Sequence, residues 1–298
     1  MPSSSRAYVD QPVSDLSAAH RVAAAAASEW GLDSPVLFRR GMNAIFLAGP
    51  AAIRVSRPNA DATSSLQLAS VLLDSGLRVA SPFRDDVFAA EGMSATCWSR
   101  VEVTGEPVNW REVGAMVRRV HQLDSSELPE TYPLPSPASF PWWNFDSLLA
   151  ATSSVLDEQA QVGIVAAINR HSDWWEFDDA VVCHGDVHPG NVIMSSEGPV
   201  LIDWDLMCVA PAGWDHAPMM TWAERWGGSS GEYESFASGY GRSLRGDEVA
   251  EAFAELRLVA ATLMRVQAAM ADDAAMPEAE RRLQYWRGED DSPQWRAQ

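Results

Sequence analysis

Lysine does not occur anywhere in the 298-residue sequence, and all 22 basic residues are arginine. This absence excludes enzymes that form a Schiff base through a lysine, including pyridoxal-phosphate enzymes. It also excludes a Walker-A phosphate loop, whose signature needs Gly-Lys-Ser/Thr. A GC-rich genome explains the same bias, because it favours arginine and alanine codons, but the chemical consequence holds in either case.

Cysteine and long apolar runs are also scarce. Cys97, Cys183 and Cys208 form no C-x-x-C pair, so neither a zinc ribbon nor a disulfide framework is expected, and buried thiols are the simpler interpretation. The chain has no run of about 18 uncharged apolar residues, which argues against a membrane span. The first 15 residues show no signal-peptide pattern. We therefore expect a cytoplasmic protein.

Positive charge is in the minority, because 22 basic residues oppose 41 acidic ones and give a net charge of −19. Such acidity argues against nucleic acid or an anionic membrane as the main partner, and it is compatible with a cationic ligand. Hydrophobic residues make up 47% and charged residues 21%, as in ordinary globular proteins. The length suits one large domain or two lobes.

Apolar periodicity and turn signals divide the chain into a mixed first part and a helical second part. The first part is predicted to hold helices at 14–30 and 61–75 and strands at 35–38, 44–48, 51–55, 86–91 and 94–102. The second is predicted to hold a loop at 125–145, a strand–loop–strand block at 181–205, and helices at 109–123, 145–171, 214–226, 231–243 and 247–272. The polar ends, 1–12 and 287–298, are expected to be frayed.

The block at 181–205 carries the candidate chemistry. An apolar run leads into a tight loop that holds Asp186 and Asn191 five residues apart, and the chain then turns and returns to Asp203. Such a hairpin would bring Asn191 and Asp203 together at one end. An amide oxygen and a carboxylate are hard ligands suited to Mg²⁺, which leaves Asp186 to orient an attacking hydroxyl. These parts match the requirements of phosphoryl transfer.

The same block resembles the catalytic loop and metal-binding segment of the aminoglycoside phosphotransferase and choline kinase family. The resemblance rests on His184-Gly185-Asp186-x-x-x-x-Asn191 followed by Ile202-Asp203-Trp204. It implies a two-lobed, protein-kinase-like α+β fold. The implied lobes are a small antiparallel-sheet lobe at 1–102, which binds the nucleotide, and a larger, mainly helical lobe at 103–298, which carries the catalytic and acceptor sites.

The resemblance also implies roles for the residues of this block. Asp186 would act as catalytic base or hydroxyl-orienting acid, and Asn191 and Asp203 would hold Mg²⁺ between the ATP phosphates. His184 would shape the catalytic loop, and Asp215 would support it. Asp205 is open between a contribution to the metal or loop and a helix N-cap.

In the first lobe, the family pattern places Gly41 and Asn43 in a loop over the nucleotide and puts Arg54 where relatives carry a phosphate-binding lysine. The adenine would lie near the backbone of Ser99 and Val101. The helix after Arg54 lacks the glutamate that normally pairs with the lysine, and neither Gln67 nor Asp61 is a convincing substitute. Arg54 is therefore expected to stay unpaired until nucleotide arrives, or to meet the nucleotide in a different position.

The resulting expectation is an ATP- and Mg²⁺-dependent phosphotransferase that moves the γ-phosphate to a hydroxyl of a small molecule, as a monomer or homodimer. An aminoglycoside-like antibiotic, an amino alcohol and a sugar remain open as acceptors. The alternative is a kinase-like protein that binds nucleotide but transfers little or no phosphate. A third hypothesis, a metal hydrolase, uses His184, His188 and Asp203, but Gly185 and Pro189 disfavour the helix that would pair the histidines.

Tryptophans and acids suggest further candidates for an acceptor pocket. Trp142-Trp143 and Trp174-Trp175 lie in loop-like surroundings, where a pocket and the core are both open, whereas Trp222 and Trp226 are spaced for core packing. Several acids could attract an amine, although a solvated helix face is the simpler interpretation for each: Glu224, Glu232, Glu234, Asp272 and Asp273.

Overall fold

The computed structural model describes residues 6–177, 179–289 and 292–296, and it confirms the predicted α+β architecture. Its first part is a five-stranded antiparallel sheet of order β1-β2-β3-β5-β4. The strands are β1 Val36–Arg40, β2 Ala44–Ala48, β3 Ala51–Ser56, β4 Phe88–Ala90 and β5 Met93–Ser99. Helix α1, Leu16–Glu29, precedes the sheet, and α2, Thr63–Asp74, follows β3.

The second part begins after the segment 100–109, which contains the predicted lobe boundary, and it is mainly helical. The helices are α3 Trp110–Val120, α4 Phe145–Thr152, α5 Glu158–Arg170, α6 Gly213–Arg225, α7 Glu232–Tyr240, α8 Glu248–Ala271 and α9 Met276–Trp286. Two small antiparallel ribbons lie between them. One pairs β6 Val181–Cys183 with β9 Cys208–Ala210, and the other pairs β7 Val192–Ser195 with β8 Gly198–Leu201.

Some predicted elements differ from those observed. The single helix expected at 145–171 is two helices, because Asp157 caps a new start by accepting a hydrogen bond from the Ala160 amide. Helix α9 and strand β9 were not predicted. None of the helices in the described ranges combines the length and the hydropathy needed to cross a bilayer.

Two hydrophobic clusters hold the fold together. The smaller one packs α1 against one face of the sheet and is rich in alanine, with Phe46 and Ile53 fully buried. The larger one fills the helical part and also takes in Leu68 and Leu72 of α2. Helix α2 therefore belongs to the core of the helical part, although it lies in sequence among the strands.

The expectation of frayed ends is wrong where the structure describes them. Tyr8 is 1% exposed and stacks on Tyr132 with ring centroids 4.8 Å apart. Trp295 is 2% exposed and meets Trp226 edge to face. Large aromatic side chains anchor both segments because each buries substantial apolar area. The rest of the two predicted frayed ends, 1–5, 290–291 and 297–298, lies outside the described residues.

Candidate active site

A buried carboxylate holds the loop between β6 and β7. Asp215, at the start of α6, is fully buried and accepts hydrogen bonds from the backbone amides of His184 and Gly185, both at 2.8 Å. His121 lies 3.1 Å from the same carboxylate. Burial alone would raise the pKa of Asp215, but His121 and these amides outweigh it and lower the pKa.

The loop makes its turn at Gly185, where φ is +94°. A Cβ at this position would lie 1.9 Å from the carbonyl oxygen of Leu206, so no larger residue fits. The fully buried His184 imidazole packs beside it, with Nε2 3.1 Å from the carbonyl oxygen of Ile202. Contacts on both sides thus fix the loop that carries Asp186.

Asp186 is held at one of its two carboxylate oxygens. Asn191 donates an N–H to Oδ2 at 3.1 Å, and His188 Nε2 lies 3.3 Å from the same oxygen. His188 Nδ1 accepts a hydrogen bond from the Gly190 amide, so a neutral ring carries its proton on Nε2, facing Asp186. Oδ1 lies 3.8 Å from Arg257 Nη1 and accepts no hydrogen bond from the described residues.

The charges around Asp186 keep it ionised. Burial alone would raise its pKa, but His188 and Arg257 outweigh that effect and hold the pKa below its usual range. A carboxylate with so low a pKa is a weak base. It is suited to accept a hydrogen bond from a hydroxyl and orient it, with proton transfer late in the reaction.

The end of the β7–β8 ribbon brings the chain of Asp203 to that of Asn191. The Ile202 amide donates to the Asn191 carbonyl oxygen at 3.1 Å, directly beyond the last paired residues, Val192 and Leu201. Asp203 then takes a left-handed conformation, with φ +65°. The predicted hairpin therefore places these two residues on neighbouring positions at one end.

The donor set at this end fits a hard divalent cation. Asn191 donates its side-chain N–H bonds to Asp186, and among the described residues nothing donates to its amide oxygen or to the Asp203 carboxylate. Asp203 is exposed at its own surface, but the surrounding protein reduces its hydration, and this effect together with repulsion from the Asp205 carboxylate raises its pKa to about 7. A bound cation would relieve this repulsion, and Mg²⁺ prefers such oxygen ligands.

The expectation that Arg54 stays unpaired is wrong. Its guanidinium contacts both carboxylate oxygens of Asp205, and the two side chains are only 14% and 7% exposed. Burial would lower the pKa of Arg54, but the Asp205 charge outweighs it and the pKa is raised. The α2 helix supplies no partner because Asp205, 151 positions along the chain, already provides the carboxylate.

Asp205 also fixes the turn between β1 and β2. Asn43 donates to Asp205 Oδ2 at 2.9 Å, whereas the Asn43 amide oxygen is buried without a partner among the described residues. Gly41 lies in the same turn and is exposed, and a side-chain carbon added there would meet no described atom within 4 Å apart from those of its chain neighbours. The structure therefore gives Asn43 a side-chain contact across to Asp205, whereas Gly41 makes a backbone hydrogen bond within the turn, from its N–H to the Asn43 carbonyl oxygen at 2.9 Å.

The face of the sheet opposite α1 lies across from the loop that holds Asp186, since Arg39 contacts the Gly190 carbonyl oxygen and Arg54 contacts Asp205. We call the space between them the cleft and this sheet face its roof. Register aligns Val36, Leu47, Ala52 and Trp98 as one apolar row across four strands. The next row contains Arg39, Ile45, Arg54 and Thr96. An apolar row beside a row with two arginines suits a base followed by phosphates.

The predicted adenine contacts lie where β5 leaves the sheet. Ser99 is its last residue, and its hydroxyl lies 3.0 Å from that of Ser81. Val101 follows in the irregular segment, and its backbone N–H donates to no group in the described part of the chain. Ser99 directly follows Trp98 at the edge of the apolar row, and Val101 lies two residues further along the chain.

The tryptophan candidates divide between core and cleft. Trp143 is 3% exposed and packs against Trp214, so it belongs to the core. Trp175, by contrast, is 57% exposed. Trp222 and Trp226, which were expected to pack in the core, are half-buried, pack against it and stack on each other, and Trp222 also stacks on His188 with ring centroids 5.8 Å apart. Trp222 therefore forms a wall beside Asp186.

Three of the acids predicted to attract an amine make local hydrogen bonds or line a small pocket. Glu232 and Asp272 accept hydrogen bonds from nearby backbone amides, and Glu224 lines a 240 Å³ pocket with Glu251 and Glu255.

Within the described residues, the one tight group of three side chains that could bind a metal is His121, Cys183 and Asp215, and it does not include the pair of His184 and His188. There the Asp215 carboxylate is already engaged by the His184 and Gly185 amides and by His121, so its role is to hold the loop.

Three residues of the site were not identified from the sequence: His188 as a partner of Asp186, Arg257 and Arg39. Arg257, on α8, donates to the Gly185 carbonyl oxygen at 2.7 Å and lies over the Trp214 ring at 4.4 Å. Of these three, only His188 could have been recognised from the sequence, because it lies two positions after Asp186 in the same loop. Arg257 and Arg39 reach the site from elements distant in sequence.

Comparisons with known proteins identify the family and the fold of this chain. The model of the phosphotransferase enzyme family matches residues 57–257, about two thirds of the chain, whereas no curated protein sequence matches it. One similar solved structure is an amicoumacin kinase with AMP-PNP and Ca²⁺ (TM-score 0.67, 12% identity, 92% of this chain and 96% of that chain).

Two further solved structures share the fold. A choline/ethanolamine kinase family protein from Mesorhizobium loti has TM-score 0.65 and 16% identity, covering 91% of this chain and 93% of its own. A spectinomycin phosphotransferase with ADP and spectinomycin has TM-score 0.64 and 18% identity, covering 87% and 90%. At these identities the likeness establishes the fold, which is kinase-like as expected. The family match shows that this chain belongs to the phosphotransferase enzyme family.

Proposed function

We propose that this protein is an ATP- and Mg²⁺-dependent kinase of a small hydroxyl compound. The observation that carries the proposal is the convergence of Asp186, Asn191 and Asp203 at one end of the β7–β8 ribbon, below a sheet face with an apolar row and two arginines. Kinase-like phosphoryl transfer needs these parts: a hydroxyl-orienting acid, metal ligands and a phosphate-binding cation.

In this proposal Asp186 Oδ1 accepts a hydrogen bond from the acceptor hydroxyl, because Oδ2 is already engaged by Asn191 and His188. The acceptor oxygen attacks the γ-phosphorus, the bond from that phosphorus to the β,γ-bridging oxygen breaks, and ADP leaves. The hydroxyl proton passes to the Asp186 carboxylate. Mg²⁺ bound to Asn191 and Asp203 would neutralise phosphate charge during the transfer.

The nucleotide is proposed to enter with its base against the apolar row. Val36, Leu47, Ala52 and Trp98 offer a flat apolar surface, and the free Val101 N–H lies at the strand exit, where it could donate to a base nitrogen. The phosphates then point toward the arginine row and Asp203. This placement agrees with the predicted contacts at Ser99 and Val101.

The acceptor is proposed to bind beside His188 and Trp222, whose stacked rings form a wall next to Asp186. A ring-shaped polyol, sugar or amino sugar could pack its apolar face against the edge of the stack formed by His188, Trp222 and Trp226 while a hydroxyl meets Asp186. We place the enzyme in the reducing cytoplasm, since its three cysteines are free and buried, and we expect a monomer or homodimer.

Transfer from ATP with a labelled γ-phosphate to a library of hydroxyl compounds tests the proposal. The wild type should label at least one acceptor, and Asp186→Asn should lower kcat about 10³-fold while still binding Mg·ATP. Asp85→Asn, which removes an exposed aspartate, serves as the control and should leave kcat unchanged. Binding of Mg·ATP with no transfer to any compound would favour the alternative, a nucleotide-binding protein without transfer activity.

A further inference from the structure

Arg39 faces the cleft because β1 contains a bulge. Leu37 pairs with Phe46, yet Arg39 pairs with Ile45, so the register shifts and Phe38 is an extra residue between them. Without it, strict alternation would turn Arg39 toward α1, the side of Phe46. A bulge that re-aims one side chain toward a cleft is a common feature of binding sites.

The other arginine of the row is already neutralised. Arg54 makes a buried ion pair with both oxygens of Asp205, which also accepts from Asn43. If Arg54 turned to a ligand, the Asp205 carboxylate, whose side chain is only 7% exposed, would lose its cation. Leaving a buried charge unpaired strongly destabilises a protein. The charge of Arg54 is therefore committed to holding the two sides of the cleft together.

Arg39, by contrast, is exposed and weakly engaged. Its single contact among the described residues is Nη1 at 3.5 Å from the Gly190 carbonyl oxygen, at the long limit of a hydrogen bond. That carbonyl belongs to the loop between Asp186 and Asn191, so Arg39 spans the mouth of the cleft.

We infer that Arg39, and not Arg54, is the side chain that binds the β- and γ-phosphates of the nucleotide. This inference rests on the proposed function, because it assumes a nucleoside triphosphate. Arg39 offers a planar, permanently charged fork that matches phosphate oxygens, and its exchange of a weak carbonyl contact for a charged one is favourable. Arg54 keeps Asp205 and Asn43 in place and acts as a positioning residue.

Isothermal titration with Mg·ATP and with AMP tests the inference in the full-length protein. Arg39→Ala should weaken Mg·ATP binding about tenfold or more, as expected for loss of a hydrogen bond to a charged group. Its affinity for AMP, which lacks the β- and γ-phosphates, should stay within about twofold of the wild type. Arg40→Ala is the matched control, because Arg40 pairs with Ala44 on the other face of β1 and should not discriminate between the nucleotides.

An Arg39→Ala protein that binds Mg·ATP as tightly as the wild type would overturn the inference and return the phosphate contact to Arg54. An equal loss for ATP and AMP would also overturn it, since it would place Arg39 at the base, sugar or α-phosphate. A wild type that binds neither nucleotide would refute the proposed function itself, and with it the role of Arg39.

Discussion

The two sides of the cleft are held in different ways. The floor, formed by the loop from His184 to Asn191, rests on buried hydrogen bonds to Asp215, which lies about 30 positions away in sequence. The roof, formed by the arginine row of the sheet, contacts the other side through the ion pair of Arg54 with Asp205, 151 positions apart, and through the long contact of Arg39 with the Gly190 carbonyl oxygen. Asp186 and Asn191, proposed for phosphoryl transfer, therefore lie on a firmly held loop, whereas the sheet face proposed to bind the nucleotide is attached by few contacts.

Removal of the Asp215 side chain should destabilise the loop from His184 to Asn191, and we expect the largest effect on stability here. Asp215→Ala leaves two backbone amides and His121 without their buried acceptor, so the free energy of unfolding should fall by about 4 kcal/mol. Urea denaturation measures this loss, and Asp85→Ala at an exposed site should change stability by less than about 0.5 kcal/mol. Equal stabilities for the two variants would show that the floor is not held in this way.

The same carboxylate predicts how stability depends on pH. Because the folded-state pKa of Asp215 is lowered, its contribution is present above the ordinary aspartate pKa of about 4 and is lost as pH falls through the folded value. The stability gap between wild type and Asp215→Asn should therefore be constant near neutral pH and shrink below about pH 4. A gap that widens in acid would contradict the assignment.

Removal of Asp205 should loosen the roof, with a somewhat smaller effect. Asp205→Ala leaves Arg54 as an unpaired charge that is 14% exposed, and we expect a loss of about 3 kcal/mol. The double variant Arg54→Met with Asp205→Leu should lose less than Asp205→Ala alone, because no buried charge remains unpaired. If the losses of unfolding free energy for Arg54→Met alone and Asp205→Leu alone add up to the loss of the double variant, the pair does not couple the two sides.

The turn at Gly185 gives the smallest stability effect and sharpens the picture of the floor. Gly185→Ala combines φ +94° with a Cβ 1.9 Å from a backbone oxygen, whereas Gly31→Ala meets φ +66° but open space. Gly31→Ala should cost about 1 kcal/mol, the penalty for the left-handed conformation, and Gly185→Ala at least about 2 kcal/mol. Similar costs in urea denaturation would show that the Leu206 contact is relieved without strain.

The floor was largely predictable from the sequence, and the roof was not. Asp186, Asn191 and Asp203 lie within 18 positions, and a short hairpin is enough to place Asp203 beside Asn191. The partner of Arg54 lies on a distant segment, and no local pattern signals it. The bulge at Phe38 changes which face Arg39 occupies, and simple alternation along the strand predicts the opposite face.

The ordered segments at the two chain ends were likewise not predictable from the sequence. Tyr8 lies in a polar segment, but its backbone N–H donates to the Asp205 carbonyl oxygen at 3.2 Å, beneath the ion pair that joins roof and floor. The Arg54 guanidinium lies 5.7 Å from the Tyr8 ring centroid. Composition predicts a frayed end, whereas buried side chains and backbone hydrogen bonds to Asn59 and Asp205 hold the segment in place.

The most direct test of a metal and triphosphate site at Asn191 and Asp203 is the thermal shift produced by ATP with and without Mg²⁺. Mg·ATP should raise the Tm of the wild type more than ATP with a chelator does. Asp203→Asn should remove most of this Mg²⁺-dependent difference. A wild type whose Tm shift is the same with and without Mg²⁺, or an Asp203→Asn protein that keeps the full difference, would contradict the central claim.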